Sequence, residues 1–337
     1  MSWTHRSATH RASVVAQILV GVSLAMGCVP HVGGWDLANL QSRYPGVAGI
    51  AGQRLGDTPP YFAIEGDRAW LFLCRFATDE PIDVALPPDA DARERAAIEL
   101  ALQGWSAAGL GVRFRSVLAT TRGITIRFAQ AIGSSTVQRA GYAASECVLG
   151  TSHLPSEDAN APLPARLLRA EIVLRRSHTD VAGNEIALSD DELVGTVLHE
   201  LGHALGFAGH IETDGSIMTR STDRVRRAGR ELRAAGTLTA PTLLALYALP
   251  SGARLGEWPV ARKAAELFRK AESHAAQRGW SGPRLRVGER NASLVWFDDQ
   301  GIVAALTLEG YAAALRAGRP LEFSPGAFAN RLRRPSH

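Results

Sequence analysis

The chain has little cysteine: three residues in 337, at positions 28, 74 and 147. None forms a C-x-x-C pair, which excludes cysteine-ligated zinc modules and thioredoxin-type redox chemistry. There is no internal repeat, which excludes solenoid and propeller arrays. There is also no apolar run of full bilayer length. The one candidate, residues 12–27, is short for a membrane span. Hydrophobic content of 46% with only 21% charged residues excludes an intrinsically disordered chain. What is present is an uneven charge distribution. Residues 28–218 carry 15 Lys/Arg against 23 Asp/Glu, a net −8, and residues 219–337 carry 20 against 10, a net +10. The pI near 9.2 therefore reflects the C-terminal third. Such a segment suits anionic headgroups or an acidic partner, or is a solvated arginine-rich surface. No nucleic-acid partner is expected.

The N-terminus reads as an export signal. "MSWTHRSATHR" is basic and free of acids, and "ASVVAQILVGVSLAMG" is an apolar core ending in small residues. Cys28 follows, and "LAMGC" resembles the lipobox of bacterial lipoproteins, in which the cysteine is acylated and becomes the mature N-terminus. Three outcomes stay open: a lipid-anchored periplasmic or cell-surface protein, with the membrane as a partner through Cys28, a secreted one, or one held by an uncleaved membrane anchor. All three place Cys74 and Cys147 in an oxidising compartment, where two remaining cysteines are expected to pair.

Along the chain, residues 29–58 lack periodicity and read as a tether. Residues 69–76 and 81–87 look like strands. Residues 89–111 read as a helix, with acids at its start, Gly109 near its end, and Ile98, Ala101, Leu102 and Trp105 on one face. Trp105 is thereby assigned to the core. Residues 112–117 and 123–129 alternate as half-buried strands do, 141–169 reads as a long Ser-, Pro- and Ala-rich loop, and 170–176 as a further strand. Ser189 with Glu192 forms a capping box, and Asp190 and Asp191 add charge suited to a helix N-terminus. That helix should stop near Gly206. An arginine-rich segment then leads to a helix over 238–249. Beyond it come a charged helix (258–277), a hairpin (294–306) and a short helix (309–317).

The chemistry concentrates in "VLHELGHALGFAGHIETDGSIM", residues 197–218. His199 and His203 are four apart on the helix, so their rings leave one face a turn apart and suit a single ion. Glu200 lies beside the first ligand, the arrangement in which a glutamate serves as general base. Zinc lowers the pKa of bound water to about 7, and the glutamate takes its proton and passes it to the leaving amine.

With Gly206, a third histidine and Met218 in order, this stretch resembles the metzincin metallopeptidases, and among them the matrixins, whose signature is H-E-x-x-H-x-x-G-x-x-H followed by a Met-turn. "HELGHALG" matches fully. The third histidine comes one residue late, at His210, with glycine at 209. Glycine has no side chain to ligate, and it tolerates the backbone that a one-residue bulge requires. His210 is the expected third ligand; Glu212, Asp214 or a residue farther off stay open. The resemblance implies one catalytic Zn2+, with Met218 as a hydrophobic floor beneath the ligands. No cysteine switch is found, and no structural zinc or calcium loop is supported in 141–169.

The expected fold class is α+β: a metzincin-like catalytic domain, with a twisted mixed β-sheet, packed helices, zinc helix and Met-turn, plus a small C-terminal α/β appendage. The expected layout is a lipoprotein-type signal at 1–27, a tether at 28–58, a matrixin-like metallopeptidase domain at 59–250, and a basic region of unknown role at 251–337. The expected function is an exported zinc metalloendopeptidase acting on protein or peptide substrates. The alternative is a catalytically silent zinc-bearing protein that binds an envelope partner.

Overall fold

The computed structural model describes residues 61–130, 140–149, 162–179, 184–207, 210, 217–238, 241–288, 292–298, 301–308, 314–315, 317 and 319–325. Cys28, the tether up to residue 58, and the rival ligands Glu212 and Asp214 lie outside the described residues.

The large sheet has a parallel core. Strand β3 (Ile82–Ala85) is followed by helix α1 (Ala92–Ala107) and strand β4 (Phe114–Val117), which pairs parallel beside it. Such a connection needs a helix to carry the chain back across the sheet. α1 starts at Asp91 because Asp91 and Glu94 cap each other, with the Asp91 carboxylate accepting from the Glu94 amide at 2.7 Å and the Glu94 carboxylate from the Asp91 amide at 2.9 Å. β5 (Gly123–Phe128) and β7 (Ala165–Leu174) extend the parallel set, and β6 (Gly141–Leu149) runs antiparallel to β7. Helix α2 (Asp190–Ala204) carries the metal-binding motif and meets α1 through Trp105, which is fully buried and donates its indole N–H to the Leu198 carbonyl at 3.0 Å. The fold is α+β, with a mixed sheet and helices packed on it.

Of the long loop the sequence suggests at 141–169, residues 150–161 lie outside the described residues, and both ends are strand rather than loop. Residues 141–149 are β6, and 165–169 are the first half of β7. The strand β6, GYAASECVL, is poor in β-branched residues, and Ala143 to Cys147 are all buried. It shows no alternation because both of its faces are covered by segments remote in sequence. The arginine-rich segment after Met218 is also more regular than expected, being helix α3 (Thr222–Ala235). It has no broad apolar stripe to read, since Gly229 and Leu232 are its buried residues. Instead it crosses α2 at bare backbone. A Cβ on Gly229 would lie 2.0 Å from the Asp191 carbonyl oxygen, and one on Gly195 2.1 Å from the Val225 oxygen. Arg230 and Arg233 of α3 then reach Asp191 at 2.9 and 2.6 Å, and Arg93 of α1 reaches Asp190 at 2.5 Å. The Arg93 hydrogen bond holds the Asp190 carboxyl below the usual range, and those from Arg230 and Arg233 do the same for Asp191.

After α4 (Pro241–Ala248), β10 (Arg254–Pro259) joins β2 (Arg68–Phe72), which itself pairs with β1 (Tyr61–Glu65), to make a small sheet. Helix α5 (Arg262–Arg278) leads to β11 (Ser281–Gly288), β12 (Ala292–Asp298), β13 (Gly301–Leu308) and β14 (Ser324–Pro325). The hairpin expected at 294–306 is β12 and β13. Of the helix expected at 309–317, residues 314–315 are helical and most of the rest lies outside the described residues. The C-terminal strands form an antiparallel meander that docks on β6, so the large sheet has nine strands in the order β14-β13-β12-β11-β6-β7-β5-β3-β4. Cys74, just past β2, and Cys147 of β6 form a disulfide, S–S 1.96 Å, that ties the small sheet to the large one. Two short strands, β8 (Ser177–Thr179) and β9 (Glu185–Ala187), pair with each other before α2.

Candidate metal centre

The site is built on α2. Its N-terminus is fixed by the Ser189–Glu192 capping box, and from Leu193 onward the helix is buried between the sheet, α1 and α3. His199, Glu200 and His203 are only 8%, 5% and 4% exposed. Polar groups this deep are held by hydrogen bonds or by an ion.

Two backbone carbonyls orient the imidazoles. His199 Nδ1 lies 2.8 Å from the Ile217 carbonyl oxygen, and His203 Nδ1 lies 2.6 Å from that of Phe207. A carbonyl only accepts, so each Nδ1 donates and carries the proton. In the neutral rings both Nε2 atoms then present lone pairs, and these two atoms stand 3.1 Å apart. Two lone pairs at that distance repel unless a cation sits between them. Two nitrogens bound tetrahedrally at 2.0–2.1 Å would be about 3.3 Å from each other. The third histidine completes the cluster. The His210 ring centroid is 5.1 Å from that of His199 and 5.0 Å from that of His203. The ligand atoms of all three lie within 4.8 Å of one another, the one such group of three or more among the described residues. Two buried imidazoles with fixed tautomers and a half-buried third fit zinc with one coordination position left for water or substrate.

Gly206 ends the helix in the way this geometry needs. Its φ is +111°, its N–H donates to the His203 carbonyl at 3.0 Å, and the next N–H, of Phe207, donates to the Gly202 carbonyl at 3.1 Å. This is a Schellman closure with glycine at the left-handed position. It turns the chain so that the Phe207 carbonyl meets His203. Residues 208 and 209, where the extra residue falls, lie outside the described residues. Met218 is buried against the helix opposite Gly202, where an added Cβ would be 2.2 Å from its sulfur and 3.4 Å from the Trp105 ring. The segment Ile217–Met218 thus does two jobs: its carbonyl steers His199 and its side chain packs beneath the helix. Thr219 is buried, and its hydroxyl accepts from the Ser221 amide at 3.2 Å at the entry to α3.

Sequence reasoning missed Gly141. At the start of β6, a Cβ there would lie 2.6 Å from both Cγ and Oε1 of Glu200. The strand therefore presses bare backbone against the glutamate and limits where its carboxylate can stand. The residue is 59 positions upstream of Glu200, and no local pattern points to it. Gly202 had a signal, being a glycine inside a helix, where it costs about 1 kcal/mol relative to alanine.

The family model described as Matrixin matches residues 84–235, from β3 through α3, a span that contains all of these site residues. That region is matrixin-like, the class of zinc metallopeptidase that the histidine cluster also suggests. Among solved structures, two of myroilysin are similar to the chain. One has 22% identity and a TM-score of 0.21, covering 39% of this chain and 50% of that one; the other has 19% identity and a TM-score of 0.22, covering 50% and 66%. The chain thus spans half to about two thirds of their length. No curated protein matches it in sequence.

Proposed function

We propose that the protein is an exported, zinc-dependent endopeptidase. The observation that carries the reading is the pair of buried Nε2 atoms 3.1 Å apart, both Nδ1 atoms donating to carbonyls, with His210 closing the set and Glu200 beside it. His199, His203 and His210 hold the ion. When bound, zinc supplies a Lewis acid that polarises the scissile carbonyl and acidifies water. Glu200 is adjacent to His199 yet lies outside the ligand group, so its carboxylate serves as a proton carrier. It accepts a proton as water oxygen bonds to the carbonyl carbon, then gives that proton to the amide nitrogen as the C–N bond breaks. Gly141 keeps the carboxylate in line, and burial keeps bulk water from competing. The substrate is a protein or peptide. Export is supported by the N-terminal signal pattern and by the disulfide, a bond typical of oxidising compartments. Cys28 is the proposed lipidation site, which would hold the protein at the periplasmic or cell-surface membrane.

The test is cleavage of a mixed peptide library by the zinc-loaded protein, beside Glu200→Ala and a chelator control. Cleavage lost in both controls supports the peptidase. A folded, zinc-loaded protein that cleaves nothing rules the reading out and leaves the zinc-bearing binding protein in its place.

A further inference from the structure

The span 84–235 contributes the strands β4, β3, β5, β7 and β6 to the large sheet, and within that span β6 is the last strand on its side. β6 is also the strand that touches the glutamate, through Gly141. A sheet edge beside a reactive centre is where an extended peptide is most readily held, because its backbone can add as one more strand. In this chain that edge is taken. β11 pairs antiparallel with β6, with Gly288 opposite Ala144, Val287 opposite Ser145, Arg286 opposite Glu146 and Leu285 opposite Cys147.

Several contacts make β11 a fixture rather than a flap. Leu285 and Val287 are buried in the core. Arg284 reaches Glu146 at 3.1 Å, and Glu146 is 2% exposed and also held by Arg169 at 3.0 Å. Arg286 approaches Glu171 of β7 at 3.7 Å. The disulfide fixes β6 at Cys147, within the same four-residue overlap. β12, β13 and β14 stand behind β11 and would have to move with it.

We infer that β11 is a built-in stop that truncates the substrate groove on one side of the scissile bond. A peptide pairing with β6 from the Glu200 end meets Gly141, Tyr142 and Ala143, then the end of β11 at Ala144. On that side it is held over at most three residues and must then leave the sheet. On the other side of the scissile bond β11 sets no such limit. The enzyme therefore reads at most three residues on that side, where it favours bonds close to a chain end or a sharp bend, and a longer stretch on the other. This rests on the peptidase reading above.

The experiment uses the zinc-loaded protein and a set of peptides sharing one cleaved bond, lengthened one residue at a time on the amino side or on the carboxyl side. The expected result is an asymmetry. kcat/KM climbs through at least four added residues on one side, by about tenfold or more in total, and is flat beyond two or three on the other. A steady climb on both sides past four residues overturns the stop while leaving the peptidase intact. Failure to cleave any peptide, with zinc bound and the fold intact, overturns both.

Discussion

At the residue scale the centre divides into groups that hold an ion and a group that handles a proton, and the division can be tested at Glu200. The carboxylate is buried and next to His199, but the potential ligand group consists of the three histidines. Glu200→Gln keeps the shape and removes the basicity. General base catalysis contributes about 10² to 10⁴ in rate, so kcat/KM should fall by that factor while bound zinc, measured by metal analysis of the dialysed protein, stays at one ion per chain. Loss of zinc together with activity would make the glutamate a ligand instead. Gly141→Ala is a finer probe. The new Cβ would lie 2.6 Å from Glu200 Oε1, so the carboxylate must swing away. A displacement of about 1 Å near reacting groups can cost about 10²-fold. A drop of that order in kcat with little change in zinc content is expected; wild-type kcat would show that the carboxylate has room to spare. The two residues also mark how much of the site the sequence discloses. His199, Glu200, His203, Gly206, His210 and Met218 lie within twenty residues, and helical spacing plus one helix-ending glycine is enough to read them. The Phe207 and Ile217 carbonyls that orient the rings carry no side-chain signature, and Gly141 arrives from another strand.

At the element scale, the elements with a capping box and an apolar face are legible in the sequence, and those defined by contact with distant segments are not. α1 and α2 announce themselves through capping boxes and apolar faces. β6 and α3 do not, because β6 is buried on both faces by distant segments and α3 packs on α2 through glycines rather than an apolar stripe. That crossing has a measurable consequence. Gly229→Ala favours the α3 helix intrinsically by about 1 kcal/mol. The same Cβ meets the Asp191 oxygen at 2.0 Å and the Gly195 nitrogen at 2.6 Å, both backbone atoms that cannot rotate aside. The helices must separate, disturbing the Arg230 and Arg233 pairs with Asp191, and overpacking of this kind costs about 1–3 kcal/mol. Strain should win, lowering Tm by several degrees in a thermal melt. A Tm that rises would mean that the crossing has slack and propensity decides.

At the scale of the whole molecule, two strand pairings among the described residues join the C-terminal part to the rest of the chain: β10 on β2 and β11 on β6. The disulfide lies between these seams, joining the end of β2 to the overlap of β6 with β11. Its two cysteines are 73 residues apart. Closing a loop of that length in the unfolded chain stabilises the native state by about 4 kcal/mol in the chain-entropy account, with measured values typically 2–4. The double variant Cys74→Ala and Cys147→Ala should therefore unfold at clearly lower denaturant concentration, by an amount equivalent to about 2–4 kcal/mol. Because the crosslink lies in the part of β6 covered by β11 and not at Gly141, the same variant should keep zinc and stay within about threefold of wild-type kcat/KM at low temperature. Activity that collapses while the fold persists would place the disulfide's work at the groove, as the clamp that holds β6 and its glycine against Glu200. Stability that does not change would instead mean that the two seams already hold the sheets together without it.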